Sequence, residues 1–246
     1  MKLYLSTAPH IRCPQSTRSI MTDVIIALAP ATIVAIWYFG LNAAISVAVS
    51  TCSAVLFEFL WQKLTHKTVR IGDMSAAVTG LLVGLNMPGN APWWLPLIGS
   101  FLAIILVKQL FGGIGDNFVN PALAARAILL ASWPARMSSF VAPSYLVQAD
   151  AVAAATAASA GADAVAAATA ASAGADAVTA ATPLAGGEYN LTQLLLGQIP
   201  GTIGEVCKIA VIVGFLYLLV RRVISWRIPV TLIAVFALFM WIFGAD

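Results

Sequence analysis

Charged residues are scarce in this chain, and no long part of it could supply the polar surface that a water-soluble domain needs. Only 9% of the 246 residues are charged, whereas 61% are hydrophobic, and the mean hydropathy is +0.92. A soluble domain of this length must cover its surface with polar side chains, whereas a chain solvated by lipid needs few of them. The scarcity of charge therefore excludes a soluble globular protein and predicts a polytopic membrane protein.

Cysteine and histidine are also scarce, which argues against a metal centre or a disulfide framework. Cys13, Cys52 and Cys207 lie far apart, form no C-x-x-C pair and are odd in number. His10 and His66 have no partner at the spacing of metal ligands. We therefore predict that the chain holds no metal.

The N-terminal region lacks the short apolar core and small-residue cleavage site of a secretory leader, so we predict no cleavable signal peptide. The formal net charge is only +3, and the lysines and arginines lie between apolar runs instead of forming one block. This distribution argues against nucleic-acid binding. The basic residues are more informative about topology.

Seven apolar runs approach the roughly 20 residues that a transmembrane helix needs. Five are clear, and two are short, rich in small residues and interrupted nearby by Pro and Gly, as is typical of broken helices inside a bundle. We therefore predict an all-α fold, a polytopic transmembrane helical bundle of about seven spans. In chain order the runs cover residues 24–41, 43–60, 74–87, 95–111, 121–133, 206–220 and 228–243.

The positive-inside rule orients these spans with the N-terminus in the cytoplasm. Nearly all flanking basic residues then fall on the cytoplasmic side, and the exceptions are Arg136 and Lys208. The chain accordingly divides into an N-terminal transmembrane region (1–135), an extracytoplasmic loop (136–204) and a transmembrane hairpin (205–246).

Four acids near or within the predicted spans are functional candidates, because a charge inside a bilayer costs at least about 2.5 kcal/mol. They are Asp23, Glu58, Asp73 and Asp116, and all lie toward the predicted cytoplasmic ends of their spans. Snorkelling or helix capping is an adequate explanation there, and Asp73 in particular is expected to cap a helix. The glycine-rich run 112–115 lacks the features of a Walker or Rossmann loop and is interpreted as close helix packing or a re-entrant turn.

The predicted extracytoplasmic loop contains a tandem repeat whose copies begin at Asp150, Asp163 and Asp176, a spacing of 13 residues. Each copy reads Asp-Ala-Val-x-Ala-Ala-Thr. Alanine favours a helix but the glycines between copies interrupt it, so we predict a weakly ordered or locally helical arm. The first two copies are typical of low-complexity spacer. The third differs, because it alone has a hydroxyl residue, Thr179, at its fourth position.

The third copy, which runs from Asp176 through Thr179 to Thr182, matches the pattern D-x-x-[ST]-x-A-T. This is the acceptor motif at which a flavin transferase attaches FMN in the D subunits of Rnf-type electron-transport complexes, and the chain resembles that family. The resemblance implies that the Thr182 hydroxyl attacks the pyrophosphate of FAD, so that AMP leaves and FMN stays bound through a phosphoester. It also implies that the transferase recognises Asp176 and Thr179.

The first two copies lack part of that motif. Ala153 and Ala166 stand where it requires Ser or Thr. Thr156 and Thr169 are therefore expected to remain unmodified.

Segments throughout the chain carry the same resemblance. They correspond to the family's N-terminal signature, its third span and its glycine-rich cytoplasmic turn, and they are residues 8–11, 19–24, 27–30, 72–73, 75–82, 86–88 and 111–122. Members of the family continue past the point that corresponds to Asp246 and complete a second structural half. The resemblance therefore implies a truncated inverted-repeat architecture.

The resemblance implies a subunit of an ion-translocating ferredoxin:NAD oxidoreductase that relays electrons through covalent FMN and is not catalytic alone. The implied location is the bacterial inner membrane, with the flavin loop outside the cytoplasm. The implied partners are the A, B, C, E and G subunits of the Rnf complex, a flavin transferase during maturation, and membrane lipid. The resemblance further suggests a noncovalent riboflavin on the cytoplasmic side, for which no residue can be named.

Other functions stay open at this point. Broken, small-residue helices also build the midplane sites of inverted-repeat transporters, so a solute transporter or channel is the main alternative. The homologous subunit of a Na-translocating NADH:quinone reductase and a purely structural scaffold are two others. The sequence does not select the coupling ion, the donor and acceptor of the FMN, or whether this subunit conducts the ion.

Overall fold

The computed structural model describes residues 16–140, 191–197 and 201–243, and no strand occurs among them beyond an isolated bridge between Pro88 and Thr202. The predicted all-α fold is confirmed. The helices are α1 (Thr17–Phe39), α2 (Leu41–Leu64), α3 (Ser75–Leu85), α4 (Trp94–Phe101), α5 (Pro121–Ser132), α6 (Pro134–Met137), α7 (Leu191–Leu196), α8 (Lys208–Val220) and α9 (Arg227–Phe243). A short 3-10 turn, Ile71–Asp73, precedes α3, and a π-helix, Leu102–Gln109, continues α4.

All the described helices except the short α6 and α7 fall on the seven predicted runs. By length and composition α1 and α2 could cross a membrane, with mean hydropathies of 2.0 and 1.9 in their most apolar windows. The five shorter apolar helices, of 10–17 residues, coincide with the other five runs when α4 and its π-helical continuation are counted as one. An apolar run forms a helix because only intrahelical hydrogen bonds satisfy the backbone where water is absent.

Local sequence determines where several helices begin. Ser16 caps α1, since its hydroxyl oxygen accepts a hydrogen bond from the Ser19 amide at 3.2 Å. Gly40, at a φ of 66°, separates α1 from α2. Asn120 caps α5 through the Ala122 amide at 3.0 Å, and Pro121 occupies the first helical position, where its missing N–H is not needed.

The centre of the bundle is the close contact between α2 and α3, which small residues permit. A Cβ atom added at Gly80 would lie 2.6 Å from the Ser50 carbonyl oxygen. Gly84 likewise faces Ser50 and Val47 without room for a side chain. Such small-residue interfaces let helix backbones approach each other in an apolar solvent, where packing replaces the hydrophobic effect as the driving force.

A largely buried segment without helical structure, residues 201–206, lies against the C-terminal end of α3, and within it Glu205 is exposed. Ile203 N–H donates to the Met87 carbonyl at 2.9 Å, and Gly204 N–H donates to the Leu85 carbonyl at 2.8 Å. Thr202 and Ile203 are buried. These backbone bonds satisfy polar groups that would otherwise be costly in an apolar interior.

Candidate functional site

The predicted flavin-attachment residues, Asp176, Thr179 and Thr182, lie outside the described residues, as do all three copies of the repeat. Their role therefore stays a prediction. The domain boundaries at residues 135 and 204 also stay predictions, because most of the intervening loop lies outside the described part of the chain.

A cavity of about 430 Å³ lies between α1, α3, α5, α8 and the buried segment 201–206. Most of its wall is aliphatic or aromatic. The polar residues of the wall are Asn86, Arg126, Thr202 and Glu205. A largely apolar cavity with a few convergent polar groups has the character of a small-molecule or cofactor site.

Arg126 is the charged residue of this wall that lies within a predicted span, and sequence analysis missed it. It is half-buried near the middle of α5, and its Nη1 donates to the Asn86 Oδ1 atom at 3.0 Å. Among the described residues no carboxylate lies within ion-pair distance of its guanidinium. The rule applied to the acids, that a charge inside a span is a functional candidate by default, would have identified it had it been applied to bases as well.

A second polar cluster centres on the buried ion pair between Glu58 of α2 and Lys108 of the π-helix. The Lys108 Nζ lies 2.7 Å from the Glu58 Oε2 and 2.6 Å from the Ser75 hydroxyl, to which it also donates. The Glu58 Oε1 accepts from the side-chain amides of Gln109 at 2.9 Å and Gln62 at 3.2 Å. Both charges are thereby compensated inside the protein.

This arrangement corrects the interpretation of Glu58 as a snorkelling residue. The side chains of Glu58 and Lys108 are only 3% and 2% exposed, so the two charges pair inside the protein instead of reaching toward water. The π-helix contributes directly, because its consecutive residues Lys108 and Gln109 both reach the same carboxylate. π-helical turns often mark functional sites.

A polar cleft of about 380 Å³ adjoins this cluster and includes Glu58, Arg70, Asp73 and Asp116 in its wall. Asp73 lies at the start of α3 as predicted, one residue before the N-cap residue Met74, and its Oδ1 accepts from the Ser75 amide and hydroxyl, each at 2.9 Å. Asp116 is exposed in the turn that follows the π-helix.

The glycine-rich run 112–115 forms that turn. Gly112, Gly113 and Gly115 have φ values of 117°, 108° and 95°, which side-chain-bearing residues rarely adopt. The run therefore forms a turn and not a close contact between helices, and its re-entrant character stays a prediction.

Asp23, the remaining acid, joins α1 to the C-terminal end of α8. Its two carboxylate oxygens accept from the Arg221 guanidinium at 3.2 Å each, and its Oδ1 accepts from the Tyr217 hydroxyl at 3.1 Å. Snorkelling is wrong here too, because Asp23 is only 7% exposed and is held by two side chains at the end of α8. The hydrogen bond and the negative charge of Asp23 raise the pKa of Arg221 above its ordinary value, so Arg221 stays charged.

Metal ligands do not assemble in the described part of the chain, where no group of three or more His, Cys, Asp or Glu side chains could hold an ion. His66, the histidine within this part, lies in the turn after α2. Cys52 is exposed and Cys207 is half-buried, and both are free thiols.

Comparison with known proteins identifies the family. The profile of the NQR2, RnfD, RnfE family matches residues 4–246. The D subunit of the Na(+)-translocating ferredoxin:NAD(+) oxidoreductase complex of Acetobacterium woodii is 43% identical over all of this chain and 71% of its own length. The D subunit of the proton-translocating ferredoxin:NAD(+) oxidoreductase complex of Clostridium ljungdahlii is 34% identical, over 98% of this chain and 69% of that protein. The D subunit of an ion-translocating oxidoreductase complex from Halorhodospira halophila is also 34% identical, over 97% and 70%. The chain therefore belongs to the NQR2, RnfD, RnfE family of membrane subunits of ion-translocating oxidoreductases.

Proposed function

We propose that this chain is the D subunit of an Rnf-type ferredoxin:NAD oxidoreductase and relays electrons through FMN bound to Thr182. The observation that carries the proposal is the 43% identity to a D subunit of such a complex over the whole chain, joined to an intact acceptor motif from Asp176 to Thr182. The subunit is not catalytic alone. Its partners are the A, B, C, E and G subunits and, during maturation, a flavin transferase.

The relatives divide between two coupling ions, since one is named Na(+)-translocating and another proton-translocating. Family membership alone therefore does not select the ion. The ferredoxin:NAD(+) oxidoreductase names of these two relatives favour an Rnf complex over a Na-translocating NADH:quinone reductase as the host.

Attachment of the cofactor needs one nucleophile from this chain. The Thr182 hydroxyl oxygen forms a bond to the FMN phosphorus of FAD, the bond between that phosphorus and the bridging oxygen breaks, and AMP leaves with the bridging oxygen. The hydroxyl proton passes to water as the new bond forms. Thr156 and Thr169 are not modified, because their repeat copies have Ala153 and Ala166 at the position that the transferase reads.

The cavity beside Arg126 fits the flavin ring in size and chemistry. Its volume of about 430 Å³ is in the range of ligand pockets, its walls are mostly apolar, and the amide and guanidinium groups on one side match carbonyl oxygens of the ring. When bound, FMN supplies reversible electron transfer. The residues of this chain hold the ring, keep water from its apolar face and present hydrogen-bond donors to its polar edge.

The proposed topology has the N-terminus in the cytoplasm and residues 136–204 outside it, in the inner membrane of a bacterium. The distribution of basic residues supports this arrangement. The cavity wall includes residues of segment 201–206, at the C-terminal end of the predicted loop. A noncovalent riboflavin on the cytoplasmic side remains part of the proposal, without assigned residues.

Flavin fluorescence in a denaturing gel tests the proposal directly. The chain is expressed with its flavin transferase as wild type, as Thr182→Ala and as Thr169→Ala, the last being a matched control in the second copy of the repeat. We expect fluorescent bands for the wild type and Thr169→Ala, and a dark band for Thr182→Ala. A dark wild-type band, with the transferase shown to be active on another substrate, would contradict covalent flavin at this motif.

A solute transporter or channel is the second candidate, and one observation favours it. The cavity is walled by the end of α3 and by the non-helical segment 201–206, and broken helices with unwound backbone also build transporter sites. A transporter has no need of a flavin phosphoester, so the same gel separates the two functions.

A further inference from the structure

Arg126 has an unusual environment for a charged residue in an apolar helical bundle. Its side chain is half-buried in the wall of the 430 Å³ cavity, and its hydrogen-bond partner there is the neutral amide oxygen of Asn86 at 3.0 Å. Within the described ranges no carboxylate pairs with it. Glu205 also lines the cavity, but it is exposed, and its Oε2 accepts from the Thr202 hydroxyl at 3.1 Å.

Arg126 brings a positive charge to the wall of an otherwise largely apolar cavity. A buried charge is unfavourable unless it is paired and hydrogen-bonded. The guanidinium has five N–H donors, and Asn86 accepts from only one of its nitrogens. The cavity therefore offers a bound molecule both a positive charge and free donors.

We propose that Arg126 binds the polar edge of the flavin ring and favours its reduced form. This inference rests on the proposed function, because it requires FMN on Thr182. The ring suits the cavity since one edge carries carbonyl oxygens and the other is apolar. Reduction by two electrons with uptake of one proton adds one negative charge to the ring, and the guanidinium stabilises that charge more than it stabilises the neutral oxidised ring.

Arg126 therefore raises the reduction potential of the bound flavin. Replacing it by a neutral residue should weaken binding of the reduced ring, relative to the oxidised ring, by at least tenfold. For a two-electron couple a tenfold change lowers the midpoint potential by about 30 mV. The effect depends on charge, so Arg126→Lys should retain most of it.

The test is a spectroelectrochemical titration of the full chain, expressed with its flavin transferase and purified in detergent. The variants are Arg126→Gln, Arg126→Lys and, as a matched control, Arg136→Gln, which removes an exposed arginine of α6 outside the cavity wall. Asn86→Asp is a second test that leaves Arg126 in place. This substitution hardly changes the volume of the side chain and places a carboxylate beside the guanidinium. Because the carboxylate compensates the positive charge of Arg126, the reduction potential of the flavin should also fall.

Denaturing-gel fluorescence first establishes that each variant carries covalent flavin. A lower potential in Arg126→Gln and Asn86→Asp, with Arg126→Lys and Arg136→Gln near the wild type, supports the inference. Fluorescent Arg126→Gln and Asn86→Asp proteins with the wild-type potential would overturn it and leave the proposed function intact. If Arg126→Gln aggregates, the potential of Asn86→Asp decides. A wild-type protein without covalent flavin would overturn both proposals.

Discussion

Neutralising Glu58 alone would leave the ammonium of Lys108 buried beside an amide. The side chains are 3% and 2% exposed, and the Nζ to Oε2 distance is 2.7 Å. Glu58→Gln preserves the shape of the side chain and removes the charge. Lys108 would retain the Ser75 hydroxyl as a partner, which cannot compensate a full positive charge.

The magnitude follows from two opposing terms. At 2.7 Å the Coulomb attraction is about 6 kcal/mol for an effective dielectric constant of 20, and the loss of hydration by both ions offsets most of it. Removing one partner forfeits the attraction but leaves the other ion dehydrated, so we expect a loss of about 3–5 kcal/mol in the free energy of unfolding. For a chain of this size that loss lowers the Tm by roughly 6 to 20 °C.

Replacing both partners removes the unpaired charge. The double variant Glu58→Gln/Lys108→Met should therefore be less destabilised than either Glu58→Gln or Lys108→Met. Thermal unfolding of the full chain in one detergent, followed by circular dichroism, gives the four Tm values of the cycle. If the double variant loses the sum of the two single losses, the pair is not coupled and the reasoning from burial is refuted.

Two further predictions concern helix contacts and can use the same thermal assay. Gly80→Ala should lower the free energy of unfolding by about 1–3 kcal/mol, because its Cβ would meet the Ser50 backbone. The control Gly72→Ala should leave the free energy of unfolding unchanged, because no atom lies within 4 Å of the added Cβ. Equal losses in the two variants would contradict the close contact at Gly80. Asp23→Asn should lower the free energy of unfolding by only about 1 kcal/mol, and by less in high salt, because its partner Arg221 has a half-exposed side chain. A large loss that does not depend on salt would refute this prediction.

The positions of the helices could be predicted from hydropathy, because an apolar run inside a membrane has few alternatives to a helix. The π-helix Leu102–Gln109 could not. The apolar run of residues 95–111 predicts a helix but does not distinguish a π-helix from an α-helix. The C-terminal end of the π-helix is held by contacts from Lys108 and Gln109 to Glu58, about 50 residues earlier in the chain. A local pattern contains no information about such a distant partner.

The acids show the same limit at the level of single residues. The position of Asp73 at a helix start was predicted correctly because its hydrogen bonds go to Ser75, only two residues later in the chain. The burial and pairing of Asp23 and Glu58 depend instead on Arg221 and Lys108, which are 198 and 50 residues away, and on which helices pack together. Snorkelling treats each charge alone, so it failed where the fold supplies a partner.

Lys108 and Arg126 are two positively charged residues of the bundle that differ in their partners. The first has a carboxylate partner within the protein, and the second has none in the described structure. Lys108 is buried with a carboxylate at 2.7 Å and needs nothing further. Arg126 is half-buried beside a cavity with only a neutral amide as partner in the described structure. The same fold could accommodate a carboxylate beside Arg126, because Asn86 and aspartate are nearly identical in shape. An amide at that position keeps the guanidinium available, which is what a site for a ring that gains negative charge requires.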